Sequence, residues 1–123
     1  QPPAKPKLSR DERKRRQPPL VEPADSSVLD LDHRNFTQFI GDAELAIVEF
    51  YAPWCPHCKK FKSHYSAASR ELEGEAVLAK VDVFTHPEDG RLGGRYGVRA
   101  TPSIKVFQFG VPFMYNCGRS TQG

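Results

Sequence analysis

The chain has 123 residues, of which 38% are hydrophobic and 27% are charged, with three cysteines and a formal net charge of +3. This length suits one domain with its own core and is too short for two. Residues 1–20 hold seven Lys or Arg against two acids, whereas the remainder holds eleven against thirteen. The near-neutral remainder argues against a nucleic-acid-binding face, and no apolar run is long enough to cross a membrane.

Residues 1–25 form a basic, proline-rich leader that we predict to be disordered. Six of the eleven prolines lie in it, together with many charged residues and almost no large apolar side chains. Such a segment buries too little surface to offset the entropy of ordering the chain. Its RKRR sequence at 13–16 is interpreted as part of a solvated linker, with a processing site and a nuclear-localisation patch as alternatives.

Residues 26–123 are predicted to form one domain in which strands and helices alternate. The strand-like segments are SVLDL (27–31), AIVEFYA (46–52), AVLAKVDV (76–83), SIKVFQF (103–109) and PFMYN (112–116). Helices are predicted over 32–40 with Asp32 as cap, from the cysteine pair to Gly74, and over 87–98, which Gly90, Gly93 and Gly94 loosen. The order β-α-β-α-β-α-β-β indicates a mixed sheet with helices on its faces. The apolar run 46–52 is typical of a central strand buried on both faces.

The chemistry of the domain is expected at Cys55 and Cys58, which follow the apolar run directly. A cysteine at the first turn of a helix faces unsatisfied backbone N–H groups and the positive end of the helix dipole, and both favour the thiolate. Cys55 is therefore predicted to be the attacking sulfur, and Cys58, one turn further on, the resolving one. His57 adds polarity near the thiolate, and Pro56 stiffens the turn without needing a hydrogen-bond donor.

Two other uses of the cysteine pair are less favoured. A zinc site needs four ligands, usually from two such pairs, and the sequence has one pair and no His-x-x-x-His partner. A permanent structural disulfide fits poorly, because a pair at a helix start is badly placed to join distant segments. We therefore expect an exchangeable dithiol and no metal site. Cys117 is predicted to be a buried strand residue, with an intermolecular disulfide as the alternative.

Four stretches of the chain carry a resemblance to a known family. VEFYAPWCPHCKKF, LAKVDV, RYGVRATPSIKVF and YNCGR together resemble the thioredoxin family, closest to a catalytic domain of protein disulfide isomerases, over about residues 26–119. The resemblance implies the thioredoxin fold, an α/β fold with a central mixed β-sheet flanked by helices. The family continues into a final C-terminal helix, which we expect to be missing here. One face of the sheet is therefore expected to be partly uncovered, with reduced stability, self-association or a missing downstream segment as the consequence.

The resemblance also implies supporting residues around the cysteine pair. Thr101–Pro102 matches the cis-proline loop that offers backbone groups to an extended substrate. Glu49 matches a buried acid that helps to move protons, and burial favours its protonated form. Lys80 matches the lysine beside that acid; for both, a solvent-facing edge of the strand is the alternative. Arg119 matches an arginine that swings toward the site and lowers the pKa of the resolving cysteine.

The implied function is thiol–disulfide exchange that forms or rearranges disulfides in folding secretory proteins, through a mixed disulfide at Cys55. The substrates would be unfolded or partly folded cysteine-containing proteins, bound at a shallow apolar surface by Trp54, Thr101, Pro102 and nearby backbone. No cofactor is needed, since the sulfurs carry the electrons and glutathione or a partner oxidase recycles them. The expected location is the lumen of the endoplasmic reticulum or another secretory compartment. The rivals are a chaperone or adaptor module with little redox turnover and a cytosolic reductase.

Pro56 departs from the isomerases, which usually carry glycine at this position. A Pro-His spacer instead resembles that of the bacterial periplasmic oxidants. Because spacer residues tune thiolate stability and redox poise, we expect a relatively oxidising dithiol that donates disulfides better than it reduces them.

Overall fold

The computed structural model describes residues 9–15 and 26–113, and the second range folds into a five-stranded sheet with helices on its faces. In chain order the elements are α1 (Arg10–Arg15), β1 (Leu29–Leu31), α2 (Phe36–Asp42), β2 (Leu45–Tyr51), α3 (Pro56–Glu71), β3 (Val77–Asp82), α4 (Pro87–Arg95), β4 (Ser103–Gln108) and β5 (Val111–Phe113). The strand order is β1-β3-β2-β4-β5. β3 runs parallel to β1 and β2, whereas β4 runs antiparallel to β2 and β5. The predicted mixed sheet is confirmed, with AIVEFYA at its centre.

The main core lies on the face of the sheet that α2 and α4 cover. The ring of Phe36 lies at its middle, with ring centroids 5.4–5.9 Å from those of Phe50, Tyr96 and Phe107. The other fully buried members of this cluster come from α2, α4 and the two central strands: Ile40, Ala46, Val48, Ala79, Val81 and Leu92. Alternate residues of β2 therefore face this core, and the residues between them are left for the opposite face.

Helix α2 begins later than the sequence analysis predicts. Its first helical residue is Phe36, and Asn35 occupies the N-cap position. The predicted cap, Asp32, instead accepts a hydrogen bond from the N–H of Arg34 at 2.8 Å. The assignment of Asp32 as the cap is wrong, because a carboxylate that bonds the backbone two residues on closes a local turn and delays the helix.

Two glycines let α4 approach the end of β3 closely. A Cβ atom on Gly93 would lie 3.2 Å from the Cβ of Val83, and one on Gly90 would lie 3.2 Å from the Val83 carbonyl oxygen. These separations are tighter than ordinary van der Waals contact. The glycines thus give the helix room, and Leu92 between them is 4% exposed in the core.

Tyr65 connects α3 to the two central strands. Its hydroxyl oxygen lies 2.8 Å from the carbonyl oxygen of Ile47 in β2 and 2.7 Å from that of Ala79 in β3. A phenol has one proton to donate, so the two carbonyls share it. The side chain is 4% exposed, and the contact therefore fixes the helix that carries the cysteine pair against the strand that leads to it.

We expect Tyr65→Phe to lower the free energy of unfolding by about 0.5–1.5 kcal/mol, the net worth of a typical protein hydrogen bond. Urea denaturation would measure the loss as a lower midpoint at an unchanged slope. Tyr96→Phe, a tyrosine of the opposite face, controls for removing a phenol hydroxyl in general. A Tyr65→Phe midpoint equal to that of the parent protein would contradict the prediction.

Apolar side chains are exposed at the β4–β5 edge of the sheet. Ile104, Val111 and Phe113 are 37%, 60% and 45% exposed, and the strand pairing sets them on the face opposite Phe107. The predicted lack of a final helix concerns residues 114–123, which lie outside the described residues, and it stays a prediction. Among the described residues, no helix combines the length and the apolar character needed to span a bilayer.

Helix α1 lies within the leader that we predict to be disordered. The N–H of Ser9 donates to Glu12 Oε1 at 2.9 Å, and the N–H of Glu12 donates to Ser9 Oγ at 3.1 Å. This reciprocal arrangement is a capping box, which satisfies N–H groups that a helix start leaves open. The structure differs here from the predicted disorder because of that local bonding. The other leader residues lie outside the described ranges, and their disorder stays a prediction.

Candidate dithiol site

The end of β2 delivers the cysteine pair to the start of α3. Cys55 is the N-cap residue in an extended conformation, with φ −76° and ψ 121°, and Pro56 follows as the first helical residue. Proline suits this position because its fixed φ matches the helix and its missing N–H would have no partner there. Cys55 is 4% exposed and Cys58 is fully buried, and neither sulfur is in a disulfide.

A loop from a distant part of the chain lies against the first cysteine. The Thr101–Pro102 peptide bond in this loop is cis, as the resemblance implies. The Cys55 thiol donates to the carbonyl oxygen of Thr101, with 3.4 Å between sulfur and oxygen, across 46 positions of sequence. Thr101 and Pro102 are both half-buried, so this loop and Cys55 together face a partly open surface.

The surroundings of Cys55 favour its thiolate. Burial alone would raise the pKa of Cys55, but hydrogen bonds from the Thr101 side chain and from the Cys58 and His57 backbone N–H groups outweigh it and lower the pKa. Backbone N–H groups of the first turn of α3 are thus part of the cause. The His57 side chain itself is exposed, and its contribution here comes through the backbone.

The surroundings of Cys58 have the opposite effect. Burial raises the pKa of the Cys58 thiol to about 12, and the neighbouring Cys55 sulfur adds to the rise through its hydrogen bond and charge. The two cysteines therefore differ chemically although one helical turn separates them. One favours the nucleophilic thiolate, and the other holds its proton.

Trp54 covers one side of the cysteine pair. Its half-buried ring packs against a small cluster of Tyr51, Ala52 and the two cysteines. Phe84, from the loop after β3, meets the Trp54 ring edge-on, with centroids 5.4 Å apart and planes at 76°. The indole N–H is buried without a hydrogen-bond partner among the described residues. Phe84 was not predicted, because nothing in its local sequence indicates a contact 30 positions away.

Glu49 and Lys80 lie side by side in the sheet beneath this cluster. They are register partners on β2 and β3, and they are 3% and 1% exposed, so neither lies at a solvent-facing edge. Lys80 Nζ lies 3.7 Å from the Asp30 carboxylate and 5.3 Å from the centroid of the Tyr51 ring. Tyr51 also packs against the cysteines, and the buried lysine is thus one side chain away from them.

A leader residue also reaches the site. Lys14 Nζ lies 3.7 Å from the centroid of the Trp54 ring, the geometry of a cation–π contact. Lys14 was not among the predicted site residues. The signal that could have revealed the helix carrying it is the Ser9-x-x-Glu12 spacing, which is a signature of a helix start.

Two predicted residues, Cys117 and Arg119, lie outside the described residues, and their roles stay predictions. Across residues 9–15 and 26–113, no group of three or more His, Cys, Asp or Glu side chains is arranged to hold a metal ion.

Known proteins are similar to this chain over most of its length. Residues 27–122 match the family model described as Thioredoxin. The chain is 37% identical to human protein disulfide-isomerase A4 over 110 residues, which are 87% of this chain and 16% of that protein. It is 44% identical to Drosophila melanogaster protein disulfide-isomerase over 88 residues, 69% of this chain and 17% of that protein. The chain thus spans about a sixth of the length of these relatives.

The fold has solved counterparts as well. The first thioredoxin domain of mouse protein disulfide-isomerase A4 gives a TM-score of 0.66 at 31% identity, covering 76% of this chain and 66% of that one. Human ERp44 in its zinc-bound form gives 0.67 at 27% identity, covering 76% and 27%. With its sheet order, its cysteine pair and its cis-proline loop, this chain belongs to the thioredoxin family and is similar to domains of protein disulfide-isomerases.

Proposed function

We propose that this chain is a thiol–disulfide oxidoreductase and isomerase that forms or rearranges disulfides in folding secretory proteins. The contrast between the two cysteines carries the proposal: the pKa of Cys55 is lowered, whereas burial raises that of Cys58 to about 12. A thiolate beside a protonated thiol suits exchange, because one sulfur attacks while the other stays in reserve. The similarity to protein disulfide-isomerases supports the same chemistry.

Oxidation of a client begins from the Cys55–Cys58 disulfide. A client thiolate attacks the Cys55 sulfur, the bond between the two cysteines breaks, and Cys58 leaves and takes up a proton. A second client thiolate then attacks the client sulfur of the mixed disulfide, and Cys55 leaves as the stabilised thiolate. The client has lost two electrons to the cysteine pair. For isomerisation, the Cys55 thiolate attacks a client disulfide instead, and Cys58 releases a trapped mixed disulfide.

Glu49 is proposed to exchange the proton of Cys58. A buried thiol with a pKa of about 12 gives up its proton slowly at neutral pH, so a nearby acceptor would speed the step. Glu49 is 3% exposed on the strand that leads to the pair, and Lys80 beside it supplies a positive charge for its carboxylate. Arg119 is proposed to serve the same step by lowering the pKa of Cys58.

Client binding is proposed at the surface around Cys55. The half-buried Trp54 ring and the Thr101–Pro102 loop flank the sulfur, and they suit an extended segment with an apolar side chain. The clients are unfolded or partly folded cysteine-containing proteins, and glutathione or an oxidase partner restores the disulfide. This disulfide exchange is proposed to take place in the lumen of the endoplasmic reticulum or another oxidising secretory compartment.

The equilibrium of the cysteine pair with glutathione tests the proposal, with Pro56→Gly as the matched variant. We expect the pair to exchange with glutathione, and the variant to favour its disulfide about two- to fivefold more. Proline fixes the turn that aims two N–H groups at Cys55, and replacing it by glycine changes backbone entropy by about 0.4–1 kcal/mol. Weaker support for the thiolate makes the disulfide harder to reduce.

Both proteins would carry Cys117→Ser, so that the titration reports on one pair. A pair that forms no disulfide at any glutathione ratio would contradict the proposed function. A parent protein as reducing as a cytosolic reductase would leave exchange in place but contradict the oxidising role. A variant less inclined to form its disulfide than the parent would contradict the role given to Pro56.

A further inference from the structure

Lys14 covers an aromatic ring face that the proposed function assigns to clients. Its Nζ lies 3.7 Å from the centroid of the Trp54 ring, and the Lys14 side chain is half-buried. The edge contact with Phe84 holds the same ring from another direction. A cation above one face and an aromatic edge beside it leave little of the indole for an incoming segment.

The helix that carries Lys14 has features of a formed element. Ser9 and Glu12 close its first turn with two reciprocal hydrogen bonds. Lys14 lies in the last turn, where a positive charge is favourable beside the helix dipole. A helix of six residues is nevertheless too short to be stable alone in water. The helix therefore depends on a contact with the domain, and the Lys14–Trp54 contact supplies one.

We propose that α1 is an intramolecular ligand of the Trp54 surface and competes there with client segments. The inference rests on the proposed function, because it takes Trp54 to be a client-binding residue. One ring face holds either the Lys14 ammonium or a client side chain. Client affinity is then reduced by the fraction of molecules in which the ring is covered. A cation–π contact at a partly exposed site corresponds to a reduction of about two- to fivefold.

The favoured client segment follows from this competition. A segment that presents an aromatic or aliphatic side chain gains the whole ring face when it displaces Lys14. A lysine-rich segment would form the same cation–π contact that Lys14 already forms, so it gains nothing by displacing Lys14. The contact of Lys14 with Trp54 therefore selects for apolar segments, which unfolded chains expose and folded proteins bury.

Fluorescence of Trp54 reports directly on the contact, because it is the single tryptophan of the chain. We expect Lys14→Met to make Trp54 about twofold more accessible to acrylamide quenching, since methionine keeps the length and helix propensity but loses the charge. Lys14→Arg, which keeps a cation, should quench as the parent does. Arg10→Met removes an exposed charge from the same helix and should also match the parent. Equal quenching of Lys14→Met and the parent would overturn the inference.

Client competition is measured separately from redox turnover. On a Cys55→Ser, Cys58→Ser background, a labelled cysteine-free apolar peptide should bind Lys14→Met about two- to fivefold more tightly than the parent, by fluorescence anisotropy. Unchanged or weaker binding would overturn the competition. A parent protein that exchanges no disulfide with glutathione would refute the proposed function, whereas the quenching and the peptide affinity would still decide this inference.

Discussion

The Cys55→Ser variant is expected to lose all turnover of a disulfide substrate while it keeps its affinity for unfolded clients. A hydroxyl forms no disulfide and is a weak nucleophile at neutral pH, so no mixed disulfide forms. The Trp54 ring and the Thr101–Pro102 loop are untouched by the change. Oxidative refolding of a reduced protein in a glutathione buffer should therefore fall to the rate of the buffer alone.

The Cys58→Ser variant is the matched control, because it keeps the attacking sulfur and lacks the resolving one. It should accumulate a mixed disulfide with the client, visible as a shifted band on a non-reducing gel. Both variants would carry Cys117→Ser, so that the third cysteine cannot substitute. If Cys55→Ser refolds the client as fast as the parent does, the chain acts as a chaperone or adaptor module, and the proposed mechanism is wrong.

Alkylation at pH 7 is expected to modify Cys55 and leave Cys58 almost untouched. A pKa of about 12 against an ordinary 9.0 leaves roughly a thousandfold less thiolate at Cys58 than in an ordinary thiol. Cys55 has a lowered pKa and carries more thiolate than an ordinary cysteine at the same pH. Reaction of the reduced protein with iodoacetamide, followed by mass spectrometry of the peptides, would measure both rates.

The pH dependence gives the sign of each shift. Below its pKa a thiol reacts about tenfold faster for each unit of pH, because the thiolate fraction rises in proportion. Modification of Cys58 should still be rising at pH 10, whereas that of Cys55 should level off at a lower pH than in an ordinary thiol. In denaturant the two rates should become similar. Equal rates in the folded protein at pH 7 would contradict the contrast on which the proposed function rests.

The sheet and the cysteine chemistry follow from short-range patterns. An apolar run such as β2 has to be buried on both faces, so its central position can be predicted from the run itself. The helix-start position of Cys55 likewise follows from its neighbours, because first-turn N–H groups belong to the same few residues. The cis bond before Pro102 came from the resemblance, since local sequence alone allows a trans turn there.

The rest depends on residues that meet only in the folded chain. Phe84 reaches Trp54 from the loop after β3, and no periodicity within that loop indicates the partner. In the sequence, the glycines of α4 only lower the helix propensity. That they allow the helix to pack closely is evident only from the position of Val83. Aspartate often caps helices, but the Asp32 carboxylate accepts from the N–H of Arg34 in its own turn. Both hydrogen bonds are local, and the sequence does not distinguish between them. The capping box indicates the helix that carries Lys14, but nothing in the sequence indicates the contact of Lys14 with Trp54.

The nucleophilicity of Cys55 depends on the folded structure, because the Thr101 loop contacts its sulfur only in the folded chain. Thr101 lies 46 positions along the chain from Cys55, and its side chain helps to lower the pKa of the Cys55 thiol, so this support for the thiolate is lost when the two separate. A copy of this protein that loses its tertiary structure thus loses its reactive sulfur as well. It presents three ordinary thiols and an exposed apolar strand, which are the features of a client. Under the proposed function, an unfolded copy is therefore a substrate of the folded protein and a poor nucleophile toward it.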